Sequence, residues 1–482
     1  MVNQSKNEQH IVIVGGGLAG LSAAEWLLRQ ETPPKITIIE STDRLGGVIE
    51  TVSQGEWLIE RSADSFLSVR PAGIELVERL GITEDLISIN PEARKALIWS
   101  PQKCGESGVL LPIPLGFRLL APGRIIPVLR SNILSVFGRL RVAGERFIPR
   151  LSHHDADESL ESFAVRRLGR EAFDKLVQPL VSGIWTADPS RLSMAAACPE
   201  FFKMERDWGS LTKGEKKRVA QIKGSPDASG ARYGQFLSFK HGMQTLIKAL
   251  ESRLRNAGVL VVQDQVSSLQ RDGSQWHVVL DNQAIRADGV VLGVPASIAA
   301  PIVSTVSPNL SAELRRIEFA GAAVVSLGID QQDVSHSLRA AGMIIPKVAG
   351  KRMLAASFSS SKFPGRAPPG AVLIRTFIGG ALDMSITELT DEEVVEEVLV
   401  DLQATIGLRG SPLIVRVDRW HKSMPQYNIG HVERMKKIRQ AESKLQSFGL
   451  AGSAYEGVGI PQVIESGQIA AAHAIENQAI PK

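Results

Sequence analysis

The chain has 482 residues, too many for one ordinary core, and its 44% hydrophobic content is that of a folded protein of two or three domains. A formal net charge of +4 gives no overall nucleic-acid footprint, and two distant cysteines, Cys104 and Cys198, with no CxxC or histidine-rich spacing, argue against a zinc site or disulfide scaffold and suit a reducing, cytoplasmic compartment. The polar start MVNQSKNEQH leaves no room for a signal peptide and no apolar run reaches the roughly 18 residues that cross a bilayer, so the expectation is a soluble protein or one peripheral on the cytoplasmic face of the membrane.

Ile11 to Gly20 reads IVIVGGGLAG, four apolar residues of a buried strand and then a glycine turn into a helix. Gly15 allows the tight turn, Gly17 lets a pyrophosphate approach the backbone, and Gly20 lets the helix pack on the strand. Gly16, Leu18 and Ala19 complete a loop whose N–H groups favour a phosphate anion. A second apolar strand, Ile36 to Glu40, follows, and Glu40 stands twenty residues beyond Gly20. A carboxylate there can accept from both hydroxyls of an adenosine ribose, which favours FAD or NAD over a 2′-phosphorylated nucleotide. Ser41 comes next, then Arg44, Gly46 and Gly47, which can meet the far side of the pyrophosphate, the arginine by charge and the glycines by close backbone approach.

Residues 57–73 lead from a strand into a helix near Ala72 to Leu80. From Pro112 to Leu151, Arg118, Arg124, Arg130, Arg139, Arg141, Arg146 and Arg150 recur among apolar residues with almost no acids. Such a stretch can lie in a membrane interface or be a helical subdomain with a solvated basic face. Residues 158–193 predict two helices and then a loop, LVQPLVSGIWTADPSRLS, in which Gly183 either ends a helix or brings bare backbone against a flat ligand. Residues 205–235, rich in Lys, Gly, Ser and Asp, read as a mobile surface loop. An amphipathic helix, a strand, a meander and another strand then extend the dinucleotide domain to about residue 300. Thr390 to Glu393 form a capping box for the helix EEVVEEVLVDLQATIG. Trp420 fits either a core or a cofactor side chain. Near the end, GVGIP opens a helix whose Gly467, Ala470, Ala471 and Ala474 permit a close neighbour, and whose N-terminus offers N–H groups to a developing negative charge.

Several of these segments resemble the flavin amine-oxidase-like superfamily: the glycine doublet after Arg44 shifts the cofactor to FAD, and ERSADSFL is similar to a stretch lining the flavin ring. The ordered set GGGLAG, RLGG, DSFL, PLVSGIWTADPSRLS, SFKHGMQTL, RTFIGG, RWHKSMPQY and YEGVGIP covers nearly the whole chain and looks like the oxygen-dependent protoporphyrinogen oxidases, a group that includes coproporphyrinogen III oxidases. The resemblance implies an α/β fold with an FAD-binding Rossmann-like domain (1–90, 236–300 and 425–482), a mixed-sheet substrate domain (91–111 and 301–424) and a helical, membrane-associating subdomain (112–204). It implies a tetrapyrrole substrate oxidised by six electrons, with O2 giving H2O2. For FAD it points to Ser62, Ala63, Asp64, Ser65, Val266, Trp420, Val458, Gly459 and Ile460, besides the glycine loops. For substrate it points to Gly183 and Phe377, and to Lys95 or the neighbouring Arg94 for a propionate. Three departures stand out: Ser62 and Ala63 replace a usual Gly-Pro, and Ser357 an apolar residue. By composition alone Val266 is a strand valine and Phe377 a core phenylalanine. The alternatives are an amine oxidase, which wants an aromatic cage from a chain with only Tyr233, Tyr427 and Tyr455, and a non-catalytic binding protein on the same fold. Protoporphyrinogen IX against coproporphyrinogen III, and monomer against homodimer, stay open.

Overall fold

In a computed structural model the described residues are 9–101, 108–151, 157–221 and 236–476. The first strand, His10–Val14, is wholly apolar after its opening histidine because it is the middle of a parallel sheet covered on both faces. That sheet runs Leu260–Gln263, Lys35–Glu40, His10–Val14, Gly289–Leu292, Phe448–Leu450, every pair parallel. An antiparallel meander, Val266–Asp272, Gln275–Leu280 and Ala284–Ala287, intervenes between two of its strands.

The helix Leu18–Leu27 packs directly on the last helix, Ile460–Ile475, because small residues line the crossing. A Cβ on Gly467 would lie 2.2 Å from the Ala19 carbonyl oxygen, and one on Gly20 would lie 2.0 Å from that of Gly15. No side chain other than hydrogen fits either place.

The second large element is a mixed seven-stranded sheet: Ile414–Pro425, Phe319–Asp330, Ala371–Gly379, Met353–Phe358, Gly342–Ile344, Ala96–Ser100, Val109–Pro112. One pair, Gly342–Ile344 with Ala96–Ser100, is parallel. Behind it lies Asp391–Ile406, opened by the expected box: Thr390 Oγ accepts from Glu393 N–H while the Glu393 carboxylate accepts from Thr390 N–H.

The third element is helical and differs from the sequence reading in two places. Gln178–Trp185 is helix, not loop, ending at Thr186 in the left-handed region (φ 46°). The stretch from 205, read as loop, is also helical: Pro199–Trp208 finishes there and Leu211–Gln221 follows, while 222–235 lie outside the described residues. The reason is long-range: Arg118 and Glu215, both buried, pair at 2.8 Å, so the polar Leu211–Gln221 is held by an ion pair that local composition does not show. Arg118 therefore does not belong to a basic surface. No helix among the described residues is long and apolar enough to cross a membrane.

Candidate functional site

The glycine loop is built as a cradle. Gly15 has φ 98° and donates to the Ile39 carbonyl at 2.7 Å, which locks the turn to the end of the second strand. Gly46 N–H donates to Gly16 O at 2.8 Å, and a Cβ on Gly47 would come 3.2 Å from Gly17 Cα, so the two loops touch backbone to backbone. The helix beginning at Leu18 has Gly17 as N-cap, no side-chain cap and no acidic residue in its first turn. Its N–H groups and dipole are thus available to an anion, and the cradle suits a pyrophosphate.

Glu40 closes this loop. One carboxylate oxygen accepts from Gly16 N–H at 2.7 Å; the other takes Thr42 N–H and Oγ at 2.9 and 2.8 Å and, at 3.5 Å, Ser41 Oγ. Both Glu40 oxygens are thus already engaged by the loop. Arg44 is engaged too: its guanidinium donates to the Leu45, Gly47 and Ile49 carbonyls and pairs with Glu50 at 3.1 Å. It stiffens the glycine doublet rather than reaching out as a free charge. Val266 opens the strand that follows Gln263, the residue paired with Glu40, and so lies near Glu40 in the fold.

Residues 62–65 continue from the glycine doublet, since Ser62 Oγ bonds the Val48 carbonyl. Ser62 is not among the residues with positive φ, so serine in place of the family's glycine brings no left-handed strain here. Trp420 is half-buried; its indole N–H donates to the Arg61 carbonyl at 2.9 Å, with the Arg61 guanidinium 5.5 Å from the ring centre. It is tied to the edge of this segment rather than sunk in a core.

A slot lies beyond. Phe377, Ala355 and Ile344 share one face of the seven-stranded sheet, Ala355 being paired with both of the others. They join an apolar cluster with Ala96, Ile98, Ile184 and Val458, drawn from the sheet, the helix Gln178–Trp185 and the GVGIP turn. Gly183 is exposed between buried Ser182 and half-buried Ile184, and a Cβ there would meet only Ile344 Cγ2, at 3.8 Å. The helix therefore presents bare backbone to open space. Arg94 and Lys95 precede the strand that carries Ala96 and Ile98 into the cluster; Lys95 is exposed, while Arg94 Nε is buried without a hydrogen-bond partner.

The turn that carries Val458 to this cluster is ordered by residues to which the sequence reading gave no such part. Tyr427 Oη donates to the Ser453 carbonyl at 2.7 Å and accepts from Gly457 N–H at 2.8 Å, fixing the turn before Val458, Gly459 and Ile460. Gly459 is the N-cap of the last helix, again with no side-chain cap and no acid in the first turn. Burial pushes the Tyr427 hydroxyl well above its ordinary pKa, so it stays protonated. His431 stacks on it, ring centres 4.0 Å apart, and burial lowers its pKa to about 4 against a weaker opposing bond to the Tyr455 carbonyl. Only the RWHKSMPQY run marked this neighbourhood in the sequence. Tyr427 and Tyr455 are both 2% exposed, so neither offers a ring face as a cage; Tyr233 lies outside the described residues.

The profile of the family described as Flavin containing amine oxidoreductase matches residues 18–475. A coproporphyrinogen III oxidase of Bacillus subtilis (strain 168) is 33% identical, over 98% of this chain and 99% of its own. The chloroplastic protoporphyrinogen oxidase 1 of Arabidopsis thaliana is 28% identical, over 94% and 86%. Among solved structures, one from Exiguobacterium sp. 255-15, provisionally described as a protoporphyrinogen oxidase, superposes with a TM-score of 0.81 at 27% identity, covering 96% of this chain and 98% of that one. Wild-type putrescine oxidase bound to putrescine reaches 0.67 at 16% identity over 96% and 98%, a likeness of fold alone.

Proposed function

The chain belongs to the flavin containing amine oxidoreductases and groups there with coproporphyrinogen III and protoporphyrinogen oxidases, and from that premise we propose that it oxidises a porphyrinogen to the aromatic porphyrin in haem biosynthesis. It is an FAD-dependent oxidoreductase. The observation that carries the substrate reading is an exposed, side-chain-free Gly183 set against Ile344, which shares one apolar cluster with Phe377 and Val458; in this reading that edge is one side of the substrate slot.

FAD supplies two-electron hydride acceptance, and reoxidation by O2 with release of H2O2. The chain's own residues bind and orient. Gly15 to Gly20 with Gly46 and Gly47 hold the pyrophosphate, Glu40 and Val266 face the adenosine, and residues 62–65, Trp420 and Val458 to Ile460 surround the ring. Gly183 lets a flat tetrapyrrole lie against backbone, Phe377 holds a pyrrole edge, and Lys95 or Arg94 pairs with a propionate. Hydride loss from a meso carbon leaves a cation delocalised over the flanking pyrroles, which sheds an acidic N–H proton to solvent, so positioning does most of the work and no side-chain base is required. Residues 91–111 and 301–424 form the substrate domain in this reading, and 112–204 the part that touches a membrane surface. The cytoplasm is the proposed location.

The test is to incubate the purified yellow protein with coproporphyrinogen III and with protoporphyrinogen IX, following porphyrin fluorescence and peroxide, with putrescine as the amine control. Porphyrin and peroxide growing together is the expected result. Peroxide from the amine with no porphyrin from either tetrapyrrole overturns the proposal.

A further inference from the structure

Residues 62–65 lie over a buried knot of charge at the inner face of the large sheet. Asp64 accepts from Lys362 Nζ at 2.8 and 2.9 Å, from Ser65 Oγ at 2.7 Å and from Ser357 Oγ at 3.3 Å, and faces Arg375 at 3.5 Å. Arg375, 1% exposed, also donates to the Ser62 carbonyl, while its Nε is buried without a hydrogen-bond partner. Two cations therefore share one carboxylate. Burial works to raise the pKa of Asp64, yet the charges of Lys362 and Arg375 hold it well below the usual carboxylate range.

The neighbouring charges do not cancel the excess. Arg366 is buried and spends its guanidinium on the Phe239 and Lys240 carbonyls and Ser238 Oγ. Glu60, also buried, accepts from Met243 N–H and Thr51 Oγ, and burial pushes its carboxyl towards the neutral form. The knot is net positive whether or not Glu60 is ionised, and in a low-dielectric interior such a charge acts over several ångströms.

Its position follows from the backbone. Gly47 touches Gly17, Val48 is bonded to Ser62, and Arg375 stands two residues before Phe377 on the same strand. Ala63, within this segment, is exposed. In the proposed reading, a dinucleotide held by the cradle and reaching Val458 would have this segment beside its ring end. We infer that Arg375 and Lys362 are positioning residues that clamp the ring-lining segment, and that their surplus positive charge, with Asp64 as counterweight, raises the reduction potential of the bound flavin. The inference rests on the FAD reading above.

The experiment measures the midpoint potential of the flavin in the purified holoprotein against reference dyes. Arg375→Met and Lys362→Met each remove a positive charge and are expected to lower the reduced-to-oxidised ratio about tenfold at fixed potential, about 30 mV for a two-electron couple. Asp64→Asn removes the negative charge and is expected to shift the ratio by a similar factor the other way. Arg375→Lys, which keeps the charge, stays nearer the parent protein. A purely structural knot loosens flavin in every variant without reversing sign, so shifts that are absent or share one sign overturn the inference. If Arg375→Met does not fold, Lys362→Met against Asp64→Asn carries the same test. A parent protein that purifies without flavin sinks the functional reading itself, so the two failures are distinguishable.

Discussion

At Gly183 the same missing side chain weakens one property and serves another. Glycine within a helix costs about 1 kcal/mol relative to alanine, and a Cβ there meets nothing closer than 3.8 Å. Gly183→Ala is therefore expected to raise the melting temperature while raising KM for the porphyrinogen about tenfold, the added methyl costing a flat substrate about 1–2 kcal/mol. Melting curves and steady-state kinetics on one preparation check it; unchanged KM removes Gly183 from the slot. His431 predicts a pH effect. Its folded pKa of about 4 lies below the ordinary 6.5, so between those values the unfolded chain takes up a proton that the folded one refuses. Stability is full above about pH 6.5 and falls as pH drops towards 4, by about 3 kcal/mol if the whole shift is realised. Urea unfolding at pH 7.5 and 4.5 should show a smaller loss for His431→Phe, which keeps a ring on Tyr427; equal losses count against it. Neither effect is legible in the chain, where Gly183 reads equally as a helix end and His431 as one histidine of nine.

Among elements, the local motifs were the legible part. GGGLAG dictated strand, turn and helix because each glycine answers to a close backbone approach, and Thr390 to Glu393 announced its helix because both halves of the box are local. Leu211–Gln221 was illegible because what holds it, Arg118, is distant in sequence. Long-range and backbone hydrogen bonding likewise reshapes the basic stretch. Arg139 and Arg141 bond backbone carbonyls, so the exposed face of Ile125–Arg130 and Val136–Ala143 is more apolar than the arginine count suggests. Phe137 is 84% exposed and Phe147 73%, with Ile126, Val136 and Leu140 beside them. If this face meets a bilayer surface, the protein should sediment with vesicles containing anionic lipid, and Phe137→Asp with Phe147→Asp should weaken that at least tenfold, because each puts a charge where the exposed ring would enter the lipid. Equal sedimentation of parent and double variant would exclude the face.

Over the whole molecule, the proposed cofactor site gathers residues from 15–20, 40–47, 62–65, 266, 420 and 458–460, so in that reading one dinucleotide bridges segments that only tertiary packing brings together. A ligand bound solely by the folded chain adds about 2.7 kcal/mol at a hundredfold excess over Kd. The unfolding temperature should accordingly climb with added FAD, followed by differential scanning fluorimetry at a wavelength clear of flavin emission, and NAD should leave it unmoved. A response to NAD alone would reverse the cofactor assignment. The order in which the groove is completed has a consequence for biosynthesis. The outer parallel strand Phe448–Leu450 and the helix Ile460–Ile475 supply the flank of the first strand's sheet and the partner of the first helix. A polypeptide stalled on the ribosome before those residues emerge holds its opening motif without the surface that shelters it, so it should stay colourless, protease-sensitive and dependent on chaperones until synthesis passes them.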